Sequence, residues 1–168
     1  AGAAVTGAQW IATVGGVGYL PPASGTWGSA VALPLAWLLY VFGGAWAVLV
    51  ALPLVFAAGW WATREMTAGA DNHDPSEVVV DEVAGQWVAL LPVVIGAAHA
   101  GVPVLALWPG WIVAFFAFRL FDIWKPGPVG WADRRDDAFG VMLDDVIAGV
   151  FAGVTVVAFG VLYHLVLI

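Results

Sequence analysis

Long apolar stretches, separated by two charged segments, dominate the pattern of the chain. Asp, Glu, Lys and Arg are absent before Arg64, absent from residues 83–118, and absent after Asp145. A bilayer-spanning helix needs about 20 apolar residues, so the three uncharged blocks have room for two, two and one crossings. The pattern therefore predicts an all-α, polytopic helical membrane protein with about five membrane-embedded helices.

Glycine and proline positions divide the two longer blocks. Gly43-Gly44 interrupts the first block, and residues 99–103 interrupt the second. We expect a single domain over residues 1–168. The candidate helices are residues 27–42, 45–63, 83–97, 104–120 and 141–167.

Five crossings bring both charged segments to one side of the membrane. Residues 64–82 hold one base and six acids, and residues 119–145 hold four bases and six acids. Because all the Lys and Arg residues then lie on this side, the positive-inside rule makes it cytoplasmic. We expect tryptophans to form belts at both boundaries, with Trp87 at the charged side and Trp111 at the other.

The composition agrees with a membrane protein and narrows the chemistry. Of 168 residues, 62% are hydrophobic and 10% are charged, whereas soluble proteins average about 25% charged. The absence of cysteine excludes a disulfide scaffold and thiol chemistry. A net charge of −7 disfavours nucleic-acid binding and leaves carboxylates as the abundant reactive groups.

Two pairs of acids, Asp81-Glu82 and Asp144-Asp145, stand where two apolar helices are expected to begin. Such acids can simply cap helices and favour the helix dipole. Two pairs on one face, each followed by a glycine (Gly85 and Gly149), are more typical of a divalent-cation site with close helix packing. Capping remains the alternative.

Arg119, Asp122 and Lys125 recur at three-residue spacing where the fourth helix leaves the bilayer. One interpretation is a phosphate clamp, in which Arg119 and Lys125 donate to phosphate oxygens and Asp122 is a metal ligand or base. The alternative is a snorkelling arginine with a local ion pair and a boundary lysine.

The segment from Ser24 to Ser29 combines glycines and hydroxyls before the first crossing, as in anion-binding helix ends, although simple caps also have this composition. His73-Asp74 is a candidate to assist a metal or a proton transfer. A phosphate ester would be repelled by twelve acids unless a hard cation bridged them, and Mg²⁺ suits that role. Water attack and an aspartate nucleophile both stay open.

Four strings carry a family resemblance: Gly25-Thr26 with Gly28-Ser29, residues 74–85, the Phe-Arg-x-Phe-Asp-x-x-Lys-Pro string at 118–126, and residues 140–149. In order and spacing they resemble the phosphatidylglycerophosphatase A family of bacterial membrane lipid phosphatases. The resemblance covers roughly residues 18–150. Two positions depart from it: Ser24 stands where the family often has proline, and Ala138 where it often has glycine.

The resemblance implies Mg²⁺-dependent removal of the terminal phosphate from phosphatidylglycerol phosphate, with phosphatidylglycerol as product. It also implies a multi-pass protein of the bacterial inner membrane, with its active site at the cytoplasmic face and a phospholipid substrate. It leaves the oligomeric state and the strictness of headgroup selection open. The implied catalytic residues are Asp81, Asp122, Asp144 and Asp145. The implied metal ligands are Asp81, Glu82 and Asp145, and the implied substrate-binding residues are Thr26, Ser29, Arg119 and Lys125.

Two other functions compete with the phosphatase. A cation transporter or channel would use carboxylates at the membrane boundary, since intramembrane acids commonly mark ion paths. The uncharged middles of the predicted helices disfavour it. A noncatalytic scaffold would explain the Gly149-x-x-x-Gly153 packing motif but not the two acid pairs beside an Arg-Asp-Lys row.

Overall fold

The computed structural model describes residues 3–167, and all regular structure within them is helical. The predicted all-α membrane fold is confirmed, because four helices are long and apolar enough to cross a bilayer. These are α2 (Ser24–Thr67), α3 (Val80–Ala100), α4 (Trp108–Trp124) and α6 (Ala138–Leu167). The shorter elements are α1 (Gly7–Ala12), α5 (Pro128–Asp133) and the 3₁₀ turns Val17–Tyr19 and Val104–Leu107.

Helix α2 folds back on itself at Gly44, whose φ of 64° and ψ of −162° are not helical. A Cβ atom added at Gly28 would lie 2.9 Å from Val79, and one added at Gly59 would lie 3.0 Å from Val80. In a straight helix, at about 1.5 Å per residue, those two glycines would be roughly 46 Å apart. The halves 24–43 (α2a) and 45–67 (α2b) therefore form a hairpin, and the apolar segments number five, as Gly43-Gly44 predicts.

The helices extend beyond their predicted limits on the charged side. Helix α3 begins at Val80 rather than 83, α6 begins at Ala138 rather than 141, and α4 ends at Trp124 rather than 120. The predicted start of α3 follows the uncharged run from residue 83, whereas the real helix also includes the buried Asp81 and Glu82. Asp81-Glu82 lies in the first turn of α3, as expected, whereas Asp144-Asp145 lies about two turns inside α6 rather than at its start.

Two tryptophans expected in the boundary belts are core residues instead. Trp87 is 6% exposed, and its indole nitrogen donates to the Ala32 carbonyl at 2.9 Å. Trp111 is 8% exposed and donates to the Val104 carbonyl at 3.1 Å. Each indole finds a carbonyl partner inside the bundle, so its polar nitrogen does not need the aqueous interface.

Helices α3 and α6 cross at Gly85 and Gly149. A Cβ atom at Gly85 would lie 2.5 Å from the Asp145 carbonyl oxygen and 2.5 Å from the Phe118 ring, and a Cβ atom at Gly149 would collide with the Gly85 carbonyl. Only glycine permits so close an approach. This crossing brings the first turn of α3 beside the second turn of α6.

Candidate active site

Five acidic side chains from three helices are buried on the charged side of the bundle. Each is less than a tenth exposed. Helix α3 supplies Asp81 and Glu82, α4 supplies Asp122, and α6 supplies Asp144 and Asp145. Buried carboxylates are rare unless they are paired with cations or bind metal, so this cluster requires compensating positive charge.

The five acids form two groups of three that share Asp145. One carboxylate oxygen from each member of a group lies within 4.8 Å of the others. The first group is the predicted metal-ligand set, Asp81, Glu82 and Asp145; the second is Asp122, Asp144 and Asp145. The structure thus brings all four predicted catalytic aspartates together with Glu82.

The donor set fits a hard divalent cation. All the ligand atoms are carboxylate oxygens, which Mg²⁺ prefers. Asp145 is 2% exposed, and its Oδ2 has no hydrogen-bond partner among the described residues. One oxygen each of Asp81 and Asp144 accepts the amide of the next residue at 2.9 Å. The other oxygen of Asp81 has no hydrogen-bond partner among the described residues and is available to a cation, whereas Asp144 Oδ2 accepts from Lys125 Nζ at 2.8 Å.

Arg119 connects the two groups. Its Nη1 donates to Glu82 Oε2 at 2.7 Å and to Asp122 Oδ2 at 2.9 Å. The local Arg119–Asp122 ion pair predicted from the spacing is present, and the contact with Glu82 adds a link between α4 and α3. Ser29 is fully buried and also reaches this point, donating to Glu82 Oε2 at 3.4 Å.

Lys125 ends α4 with a left-handed φ of 53° and turns its side chain towards α6. Its Nζ donates to Asp144 Oδ2 at 2.8 Å and to Asp133 Oδ1 at 2.6 Å. Burial lowers the pKa of Lys125, but the hydrogen bonds to Asp133 and Asp144 outweigh burial and raise the pKa above its usual value. The ammonium therefore stays charged at neutral pH.

The segment that begins α2 lies against the same cluster. A Cβ atom at Gly25 would collide with the Glu82 carboxylate and lie 3.2 Å from Arg119 Nη2. Ser24 Oγ donates to the Ser76 carbonyl at 2.6 Å, which ties this segment to the loop before α3. Thr26 is partly exposed in the first turn of α2, without a side-chain hydrogen bond in the described part of the chain.

His73-Asp74 lies beside the cluster rather than in it. Both residues line a cleft of about 120 Å³ together with Asp133 and Asp136 of the second charged loop. Partial burial raises the pKa of Asp74 above its usual value. The positive charge of Lys125 opposes this shift, and the negative charges of Asp133 and Asp122 add to it. A role for His73-Asp74 in metal or proton transfer stays a prediction.

Sequence comparison now supplies the family. The sequence model of the family described as phosphatidylglycerophosphatase A matches residues 10–160. The chain belongs to the phosphatidylglycerophosphatase A family. This confirms the resemblance found in the four strings and the prediction of an enzyme of the phosphoric monoester hydrolase class.

Three relatives illustrate the range of this phosphatidylglycerophosphatase A family. A Haemophilus influenzae protein named phosphatidylglycerophosphatase A is 37% identical over 85% of this chain and 82% of its own length. An Escherichia coli protein of the same name is 30% identical over 89% of this chain and 78% of its own. A Bacteroides thetaiotaomicron protein, provisionally named phosphatidylinositol-3-phosphatase, is 37% identical over 84% of this chain and 86% of its own. No solved structure matches the chain.

Two features of this phosphatidylglycerophosphatase A family member escaped prediction from the sequence. Asp133 reaches Lys125 through the turn at Pro126-Gly127, which no helical spacing signals. Gln86 is fully buried one turn after Glu82, and both ends of its amide lack a partner among residues 3–167. The sequence does contain a signal for Gln86. It is a single amide side chain in an otherwise apolar predicted helix, four residues after Glu82.

Proposed function

We propose that the protein is a Mg²⁺-dependent phosphatase that removes the terminal phosphate of phosphatidylglycerol phosphate and releases phosphatidylglycerol. The main support for the proposal is that five buried carboxylates lie beside Arg119 and Lys125 at one end of the membrane helices. Acids alone would repel a phosphate ester. Acids with a hard cation and two basic side chains provide a site for it. The names of the relatives from Haemophilus influenzae and Escherichia coli supply the substrate.

Asp81, Glu82 and Asp145 are the residues that would hold Mg²⁺. When bound, Mg²⁺ supplies positive charge to phosphate oxygens and favours the formation of a hydroxide nucleophile from water. Asp81 suits this role because it has no cationic partner among the described residues and accepts only the neighbouring Glu82 amide. Asp145 suits it because its buried Oδ2 is unpaired in the described structure.

Arg119 and Lys125 would bind the phosphate. Guanidinium and ammonium groups form strong charge-assisted hydrogen bonds with phosphate oxygens. Each is already held in place by two carboxylates, so neither must be ordered when the substrate arrives. Ser29, 3.5 Å from Arg119 Nη1, and the partly exposed Thr26 complete the proposed substrate-binding set.

In a site that holds a single ion on Asp81, Glu82 and Asp145, the candidates for proton transfer or nucleophilic attack are Asp122 and Asp144. As a base, one of them would take a proton from the attacking water, for which it must lie within hydrogen-bond reach of that water. As a nucleophile, one would bond to phosphorus and release the lipid alcohol, and water would then hydrolyse the aspartyl phosphate. The two routes can be distinguished with substrate that is labelled in its terminal phosphate. If the enzyme is denatured during turnover, the protein retains the label only if an aspartyl phosphate forms.

We place the site at the cytoplasmic face of the bacterial inner membrane. Its acids occupy the starts of α3 and α6 and the end of α4, which lie at one end of the bundle. All five Lys and Arg residues occur in the two charged segments joined to that end, in agreement with the positive-inside rule. A lipid phosphate at the headgroup level would reach the site while its acyl chains remain in the bilayer.

The deciding experiment measures phosphate release from phosphatidylglycerol phosphate by the detergent-solubilised protein. Release is expected with Mg²⁺, not with excess chelator, and not by Asp145→Asn. Glu65→Gln is the matched control, because Glu65 is an exposed acid near the end of α2b and belongs to neither carboxylate group. Lack of release from folded wild-type protein in Mg²⁺ would contradict the proposal.

A cation transporter or channel is the alternative function. The charged residues of the four long helices all lie near the ends that meet the two charged loops, which leaves the helix middles without charged ligands for an ion. Flux of divalent cations into liposomes without phosphate release would favour this alternative.

A further inference from the structure

Asp145 is the only residue common to the two carboxylate groups among the described residues. Its second carboxylate oxygen is buried without a hydrogen-bond partner in the same part of the chain, although the residue is 2% exposed. An unpaired buried carboxylate oxygen is costly, and a cation is one partner that compensates it. A carboxylate that belongs to two ligand groups has the arrangement required to bridge two ions.

The formal charge of the cluster also exceeds what one divalent ion balances. Five buried carboxylates face two basic side chains, Arg119 and Lys125, which leaves a formal charge of −3. With one divalent cation and a phosphate monoester of charge about −2, the site would again carry about −3. With two cations it would carry about −1, so the second ion removes most of the repulsion against the substrate.

We propose that the cluster binds two divalent cations bridged by Asp145, one with Asp81 and Glu82 and the other with Asp122 and Asp144. This inference rests on the proposed function, because the phosphate substrate supplies part of the charge argument. In two-metal sites the ions lie about 3.5–4 Å apart. Each group contributes three carboxylate oxygens, and substrate oxygens or water would supply the remaining ligands.

The two positions differ in their competition with basic side chains. In the second group both unshared acids are engaged, Asp122 by Arg119 and Asp144 by Lys125. In the first group only Glu82 is engaged, and Asp81 has no ion-pair partner within the described residues. The first position therefore binds its ion more tightly, and the second fills at higher concentration.

Mn²⁺ alone is the probe, used with the full chain in detergent. Equilibrium dialysis is expected to give two Mn²⁺ per chain with two separable affinities. Electron paramagnetic resonance of the frozen sample is expected to show exchange coupling between the two ions. Saturation at one Mn²⁺ per chain, or two ions without coupling, would overturn the proposal using the wild-type protein alone.

Single substitutions assign the positions. Asp122→Asn should remove only the weaker ion, and Asp81→Asn should weaken the tighter one; both should abolish coupling. Asp145→Asn should weaken both ions at least about tenfold, while Glu65→Gln should keep both. Helical circular dichroism and gel filtration identify variants that fail to fold. If folded Asp81→Asn and Asp122→Asn proteins each lose the same single ion, the two-position assignment is wrong.

The result separates this inference from the proposed function. Phosphate release by a protein that holds one Mn²⁺ would retain the phosphatase and overturn the second ion. Two coupled ions in a folded protein that releases no phosphate would do the opposite.

Discussion

Arg119 and Glu82 are 37 residues apart in the sequence, yet their side chains form a 2.7 Å ion pair that is largely buried. The same guanidinium nitrogen lies 2.9 Å from Asp122. One nitrogen therefore contacts an acid from each carboxylate group and fixes the end of α4 against the start of α3. Its loss would leave buried carboxylates without compensation, which is more damaging than the loss of an exposed ion pair.

Arg119→Lys should lower kcat for phosphate release by roughly 10²-fold, similar to the removal of one transition-state hydrogen-bond donor. Lysine keeps the charge but not the planar group with several donors that reaches two acids and a phosphate together. Steady-state kinetics in Mg²⁺ measures the effect. Arg64→Lys, at an exposed position near the end of α2b, should retain wild-type activity. A wild-type kcat for Arg119→Lys would refute the bridging role.

Gly85→Ala should lower the free energy of unfolding by about 1–3 kcal/mol through overpacking, and should weaken Mn²⁺ binding as well. The added methyl would lie 2.5 Å from the Asp145 carbonyl oxygen, so α3 and α6 must separate beside the acid cluster. Chemical unfolding in detergent and Mn²⁺ titration measure the two effects.

Gly153→Ala is the matched control for Gly85→Ala. A Cβ atom at Gly153 would lie 3.6 Å from Pro92, an ordinary contact on the same helix pair. The substitution should leave Mn²⁺ binding unchanged. Equal losses in both variants would mean that small residues along α6 matter only for general packing.

The helices and the identity of the acids could be predicted from the sequence because both depend on local patterns. Uncharged runs predict apolar helices, and Gly43-Gly44 marks the hairpin turn. The start of α3 could not be predicted, because burial of Glu82 beside Arg119 allows the helix to extend into the charged segment.

The connections between distant parts of the chain were the least predictable features. The spacing of Arg119 and Asp122 predicts their mutual contact, but only the packing of α4 on α3 reveals the contact of Arg119 with Glu82. In the same way, the position of Trp87 in the sequence is typical of a boundary tryptophan. Only the packing of α2a against α3 reveals that its indole nitrogen donates to the Ala32 carbonyl. Both contacts join residues that are far apart in the sequence, so local sequence patterns do not predict them.

Asp137→Ala should destabilise the protein by about 1 kcal/mol at neutral pH, because Asp137 Oδ1 accepts the Gly140 amide at 2.7 Å near the start of α6. Hydrogen bonds from Arg135 and from that amide hold the pKa of Asp137 below its usual value. A lowered pKa stabilises the folded state above the unfolded pKa, and the benefit disappears as pH falls through the folded pKa.

Thermal unfolding of wild type and Asp137→Ala between pH 7 and pH 3 checks this dependence. The stability difference should be constant near neutrality and shrink in the most acidic samples. Asp137→Asn keeps an acceptor for the amide without titrating, so it should lose less stability than Asp137→Ala at neutral pH. A difference that grows as pH falls would contradict the assignment.

Cysteine labelling should test whether α2 crosses the membrane twice and on which side the charged segments lie, since the chain has no cysteine of its own. Tyr19→Cys, Asp71→Cys and His99→Cys each introduce a thiol at an exposed position. If α2 is a hairpin and the charged side is cytoplasmic, a membrane-impermeant maleimide should label the first two only in inside-out vesicles. It should label the third only in right-side-out vesicles. Labelling of Tyr19→Cys and Asp71→Cys from opposite sides would mean that α2 crosses once, in conflict with the fold at Gly44.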